Sequence, residues 1–246
     1  MSENIKKIMK SFMADLDSRE NQSIILKPST RPFNNQAHQV NEVPAKIAEK
    51  IYKLIEGAKH PNDDIILNHN KIKEAFFGPF KPQLKDAKVF LSHSHADKNK
   101  ALKVKNYLES ETDHRVFIDS LFWDYKDNIV KEMSKNDNTS KIEDAFTLIL
   151  RESLQDMIEK CPYFVFLQSN NSVSNQGLSR ITYSAWIYEE LKIANGLMAD
   201  SALQESRIKA IRVSHNITNL LRRFESISLD GLCKKISSNS ITKDLE

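Results

Sequence analysis

The chain has 246 residues, 36 basic and 33 acidic side chains, a net charge of +3 and two cysteines. That length can bury a sizeable core and suits one domain with a smaller appendage, and charges of both signs interspersed along it support neither nucleic-acid binding nor stable membrane binding. Cys161 and Cys233 lie far apart with no CxxC pair, so they read as reduced, buried thiols of a cytoplasmic protein; residues 1–17 lack the continuous apolar run of a signal peptide or membrane span.

Along the chain, Ile5, Ile8, Met9, Phe12, Met13 and Leu16 recur at helical spacing with Lys6, Lys7 and Lys10 off the stripe, which predicts an amphipathic helix packing on its own domain or on a sister subunit. The polar stretch Asn21 to Asn41, with Pro28 and Pro32, reads as a linker. Pro44 in a first turn, the stripe Ile47, Ala48, Ile51 and Leu54, and a stop at Gly57 predict a second helix. Phe76 to Pro82, with Gly78 and Pro79, breaks regular structure. Residues 1–84 are thus expected to form a helical N-terminal extension, 85–236 the main domain and 237–246 a flexible tail.

From Lys88 the pattern changes. Short apolar runs at Val89–Leu91, Val116–Ile118, Tyr163–Leu167 and Ile208–Val213 alternate with helical stripes: Ala101, Val104 and Leu108 in one, and Ile142, Ala145, Phe146, Ile149 and Met157 in another. Strand alternating with helix predicts a parallel α/β sheet with helices on both faces, where ligands bind beyond the carboxyl ends of the strands.

The residues after each apolar run therefore carry the chemistry. After the first come Ser92, His93, Ser94, His95, Ala96 and Asp97. Ser94 and Asp97 have the spacing of a capping box, while His93, His95 and Asp97 have ligand types suited to zinc, although Lys98 follows them and no glycine-rich turn does. After the second run, Asp119, Ser120, Leu121, Phe122, Trp123, Asp124 and Tyr125 bring two acids and aromatic rings into one loop. They either shape a pocket for a planar ring or tuck onto the surface. After the third, a polar, loop-like stretch runs through Gly177 to Ser184, an N-cap for a helix with the core stripe Ile187, Leu191, Ala194 and Met198. At about 100° per residue, Trp186 and Glu190 border that stripe together and Glu189 points away. The five glycines fall in neither dinucleotide nor P-loop spacing.

Taken in order, Val89-Phe90-Leu91-Ser92-His93-Ser94 with Asp97, Val116 to Asp119, Phe164 to Ser169, and Ser184-Ala185-Trp186 with Glu190 resemble a TIR (Toll/interleukin-1 receptor) domain from about Lys85 to Ala194, the tail to Ile236 supplying the last strands and helix. The resemblance implies a flavodoxin-like fold. Enzymatic members cleave NAD+ at the nicotinamide–ribose bond with a glutamate four residues after a tryptophan, a spacing met by Trp186 and Glu190. It makes Glu190 the catalytic residue, Trp186, Ser94, Asp119 and Trp123 the substrate-binding set, and NAD+ a substrate, with neither cofactor nor metal. Two departures stand out: the loop after the second strand lacks the family's glycine, and a polar insertion surrounds Ser134 to Lys141. The insertion is more similar to bacterial TIR proteins of antiviral defence than to receptor tails, and the family implies a homo-oligomer and a downstream effector sensing a nucleotide product.

One carboxylate suffices for such chemistry. Nicotinamide leaves as a neutral molecule without needing a proton, and the ribosyl cation left behind can be stabilised by a nearby carboxylate. The rivals are a non-catalytic TIR–TIR docking module and a zinc hydrolase built on His93, His95 and Asp97.

Overall fold

The computed structural model describes residues 9–27, 44–56, 68–78, 86–120, 126, 128, 131, 140–198 and 214–241. Within them the chain runs β1 (Lys10–Asp15), α1 (Arg19–Ile25), α2 (Pro44–Glu56), α3 (His69–Phe77), β2 (Ala87–Ser92), a 3-10 turn (His95–Asp97), α4 (Lys98–Thr112), β3 (Arg115–Ile118), α5 (Ser140–Lys160), β4 (Tyr163–Gln168), β5 (Ser174–Gln176), β6 (Ser179–Thr182), α6 (Ala185–Leu197), β7 (His215–Asn216), α7 (Thr218–Leu221), β8 (Glu225–Ser226) and α8 (Leu229–Ile241). The fold is α/β, as expected, with a five-stranded sheet in the order β3-β2-β4-β1-β8. Every pairing in it is parallel.

The N-terminal expectation is corrected here. The segment expected as an amphipathic helix contains β1, a strand hydrogen-bonded on one side to β4, with Phe12 opposite Val165, and on the other to β8. Ser11 to Ala14 are all buried, as befits a strand covered on both faces, where strict alternation is lost and a helical stripe is easily mistaken for it. Nor does a linker follow directly. Arg19–Ile25 is α1, whose buried Asn21 donates through Nδ2 to the Asp15 carbonyl at 2.7 Å and accepts the Leu229 N–H at 2.9 Å. The expected domain boundary at residue 84 is therefore displaced, because residues 9–27 belong to the compact unit containing the sheet.

In the flavodoxin-like arrangement the first strand lies between the second and third, with the fourth and fifth beyond the third. Here β2, β3 and β4 fill the first three places, β1 the fourth and β8 the fifth. The spatial plan is kept while the N-terminus supplies one strand. Phe117, Phe90 and Phe164 lie in register across β3, β2 and β4 with ring centroids 5.7 and 5.6 Å apart, and Phe224 meets Phe164 edge-on at 5.7 Å. Cross-strand pairs of this kind contribute roughly 0.2–1 kcal/mol each. At the β3 edge, the Lys105 ammonium donates to the Val116 carbonyl at 2.7 Å, the Val116 N–H donates to Glu109 Oε1 at 2.9 Å, and Lys105 and Glu109 pair with one another. Burial pushes the Lys105 pKa down. The opposite edge strand, β8, is only two residues long; short or capped edges discourage pairing with another chain.

Helices α1 and α8 both pack on α4. Burial pushes the Cys233 thiol up to about 11, beside Tyr107, and Cys161 is buried as well. The tail expected from residue 237 is helical as far as Ile241. The stretch after β4, expected as a loop, holds a hairpin of β5 and β6 with Gly177 at φ +60°, and β7 extends it to an antiparallel three-stranded sheet. A second compact unit contains α2, α3 and most of α5. Helix α2 lies where Pro44 and the stripe Ile47, Ala48 and Ile51 predict it, with those three apolar residues buried. Helix α3 continues through Phe76 and Phe77, where regular structure was expected to break, and Lys73 pairs with Asp156 of α5 at 2.5 Å. The strand expected at 208–213 lies outside the described residues. Among those residues, no helix is long and apolar enough to cross a membrane.

If β1 is integral to the sheet, deletion of residues 1–17 removes the cooperative thermal transition of the sheet-bearing unit, and Phe12→Ala costs about 3–5 kcal/mol in denaturant unfolding. A truncated chain that melts like the intact one contradicts this placement of β1.

Candidate functional site

All five strands of a parallel sheet end on the same side, and the polar residues collect there. β2 has neighbours on both sides, β3 reached through α4 and β4 across the other edge, so a topological switch point lies at its carboxyl end, the place where such sheets bind ligands.

Ser92 closes β2 opposite Phe166. By strand alternation its side chain shares a face with Phe90 two residues earlier. Over it comes α6, started by Ser184, whose hydroxyl accepts the Ile187 N–H at 3.2 Å, as the sequence predicts. Ile187, Leu191 and Ala194 are buried. Glu190, expected at the border of this stripe, is fully buried at 0 % exposure. It lies about 60° from Ile187 and about 40° from Ala194, both on the same side of it, so it flanks the stripe and is covered nonetheless. An ionised carboxylate taken out of water costs several kcal/mol unless its oxygens are hydrogen-bonded. Here the Ser92 hydroxyl donates to Oε2 at 2.5 Å. Trp186 is half-buried, and so is Glu189, which was expected to point away.

The next residue, His93, turns to a different acid. Its Nδ1 is in ion-pair contact with Asp119 Oδ1, its backbone N–H donates to Asp119 Oδ2 at 3.2 Å, and both side chains are buried. Asp97 forms a third group. Ser169, beyond β4, donates to Asp97 Oδ2 at 2.5 Å, Asn171 Nδ2 donates to Oδ1 at 2.9 Å, and Lys100 lies 3.7 Å from Oδ1. Past β1, Asp17 accepts the Asn170 N–H at 3.0 Å and pairs with Lys100 at 3.1 Å. The Asn170 hydrogen bond, followed by the Lys100 charge, holds the Asp17 carboxyl below its ordinary 3.8, and Asp17 in turn raises Lys100.

The predicted site residues are brought together only in part. Ser94 is half-buried and makes no side-chain cap bond, so the expected capping box does not form; Asp97 is drawn instead to Ser169 and Asn171. Asp119 is buried against His93, and Trp123 lies outside the described residues. The zinc reading needs His93, His95 and Asp97 on one ion, but His93 turns to Asp119, Asp97 to Ser169, and His95 is exposed. Among the described residues, no group of three His, Cys, Asp or Glu side chains could hold a metal ion. Sequence reasoning missed Ser92 as the partner of Glu190 and the Asp17–Lys100–Asp97 chain. The available signal was polar side chains directly after buried strands, as at Ser92-His93 and Gln168-Ser169. No family model matches the chain, and no curated protein or solved structure matches it either.

A carboxyl group held lower in the folded than in the unfolded chain stabilises fully above the unfolded value, and that contribution fades as pH falls through the folded one. Wild-type stability is thus expected to fall on acidification below about 4, and Asp17→Asn to flatten that fall. Urea unfolding at a series of pH values measures it, and identical slopes in the two proteins exclude a contribution from Asp17.

Proposed function

We propose that the chain is a TIR-type enzyme that cleaves NAD+ at the nicotinamide–ribose bond, with Glu190 as its catalytic residue. The observation that carries this reading is the burial of Glu190 on the Ser92 hydroxyl, at the end of the strand that has β3 and β4 on its two sides. Simple packing has little use for a fully buried carboxylate flanking an apolar helix stripe, since an apolar side chain there avoids the desolvation cost. A carboxylate in a low-dielectric setting, however, interacts strongly with a cationic sugar. Glu190 is sealed from solvent, so the reaction requires the elements over it to part and admit the nicotinamide riboside end of the substrate. Trp186, half-buried and four residues before it, would then offer an aromatic face to the pyridinium.

On this reading the C1′–N bond breaks with its electron pair leaving on nicotinamide. Glu190 stabilises the ribosyl cation or holds its hydroxyls, and capture by water gives ADP-ribose; capture by a group of the same substrate gives a cyclic product. The resemblance to defence proteins extends the proposal to a cytoplasmic homo-oligomer acting in bacterial antiviral defence, through NAD+ loss or a nucleotide product read by a downstream effector.

Incubation with NAD+ and separation of the products tests the activity. Glu190→Gln, which keeps a hydrogen-bonding partner for Ser92, is expected to lower cleavage at least about a hundredfold, whereas Glu189→Gln changes it little. Glu190→Ala is a poorer probe, because it leaves the Ser92 hydroxyl unpaired over a cavity and destabilises the fold. A strong chelator is expected to leave the rate unchanged. Equal losses at Glu189 and Glu190, or stoichiometric zinc with chelator-sensitive turnover, contradict the assignment.

A further inference from the structure

One buried imidazole nitrogen at the end of β2 has no task in the scheme above. The side chains of His93 and Asp119 are 1 % and 3 % exposed. Asp119 accepts the His93 backbone N–H and lies in ion-pair contact with ring Nδ1, so the histidine is placed from the end of β3. Among the described residues both ring nitrogens are buried without a partner in hydrogen-bond geometry, and Nε2, unlike Nδ1, has no ion-pair contact either. A buried polar atom left unsatisfied costs about 1–3 kcal/mol, and natural structures keep such atoms chiefly where a ligand, a water or a reaction uses them. With a carboxylate at Nδ1, the neutral ring carries its proton there and leaves Nε2 as a lone-pair acceptor.

Resting on the NAD+-cleaving reading, we propose that His93 Nε2 is the proton acceptor for the water that captures the ribosyl cation, with Asp119 as its positioning residue. After nicotinamide has left with the electrons of the C1′–N bond, the water oxygen forms a bond to C1′. One water O–H bond breaks, its electrons stay on oxygen, and its proton passes to Nε2. Asp119 stabilises the imidazolium, which later gives the proton to solvent. Overall, NAD+ and water become ADP-ribose, nicotinamide and a proton. The division of labour follows from the two carboxylates: Glu190 serves the cation that both outcomes share, and the His93–Asp119 pair serves only the outcome that consumes water.

That difference supplies the test. Labelled nicotinamide can re-enter NAD+ by recombining with the cation, a step that transfers no proton, whereas hydrolysis needs one removed. His93→Gln is expected to raise the ratio of exchange to hydrolysis about a hundredfold, and Asp119→Asn to raise it by less. Damage to the fold lowers both reactions together and leaves the ratio unmoved, so an unchanged ratio in both variants overturns the proposal while leaving Glu190 and NAD+ cleavage standing. Wild-type protein that leaves NAD+ intact overturns the enzymatic reading and this step with it. Should the variants fail to fold, nitrogen NMR of the unsubstituted chain decides: a proton on Nδ1 and none on Nε2 is expected, and the reverse tautomer overturns the assignment.

Discussion

A strand with neighbours on both sides must satisfy its N–H and C=O groups on both flanks, and β1 meets this demand through β4 and β8. Its ladder continues past the strand end, where the Leu16 N–H donates to the Gln168 carbonyl at 2.8 Å. The arrangement at the carboxyl end of the sheet follows from it. Asp15 and Asp17 reach that end only because β1 runs parallel to β4, and Asp17 can then accept from Asn170 and pair with Lys100 at the start of α4. Without β1, β4 becomes an edge of the described sheet, β8 loses its pairing with β1, and the Asn21 bridge to Leu229 has no anchor.

The acids gathered at that end are held in different ways. Asp17 stays partly in solvent, where an ion pair contributes little. Asp97 is saturated by Ser169 and Asn171, and truncating either donor is expected to cost more than the hydrogen bond contributes, because a buried acceptor is then left unsatisfied. Glu190 accepts from the Ser92 hydroxyl, and Asp119 meets His93. Since Ser92 and His93 are consecutive, a small shift in the end of β2 moves both acids' partners at once. The sheet edges have the opposite character: β3 is capped by Lys105 and Glu109 and β8 is very short, so self-association would have to use helices and loops rather than strand addition.

Much of the scaffold was legible. The stripes Ala101-Val104-Leu108 and Ile187-Leu191-Ala194 are buried on α4 and α6, and the runs around Val89, Val116 and Phe164 are strands. β1 was not legible, because Met9, Phe12, Met13 and Leu16 fit a helix period and a fully covered strand equally well, and only the partners 153 positions away distinguish them. The hairpin of β5 and β6 escaped notice because its strands are short and all but Ile181 of their residues are polar. At the site, the resemblance pointed to Glu190 and Asp119 but not to their partners. Ser92 reaches Glu190 across 98 positions and Ser169 reaches Asp97 across 72, distances at which local pattern carries no information. The capping-box pattern at Ser94 and Asp97 was present, and a long-range hydrogen bond outcompeted it.

The place of β1 also sets an order of events for the growing chain. A segment with Phe12, Ala14 and Leu16 turned inward is synthesised well before β4 and β8, the two strands that cover its edges. Closing so long a loop is slow, and apolar strands waiting for late partners are exposed to wrong pairings meanwhile. The sheet therefore cannot close from its N-terminal end as synthesis proceeds. β2, β3 and β4 can assemble first, leaving an open slot beside β4, and the earliest described strand is captured among the last, when Glu225 and Ser226 arrive to seal its far edge.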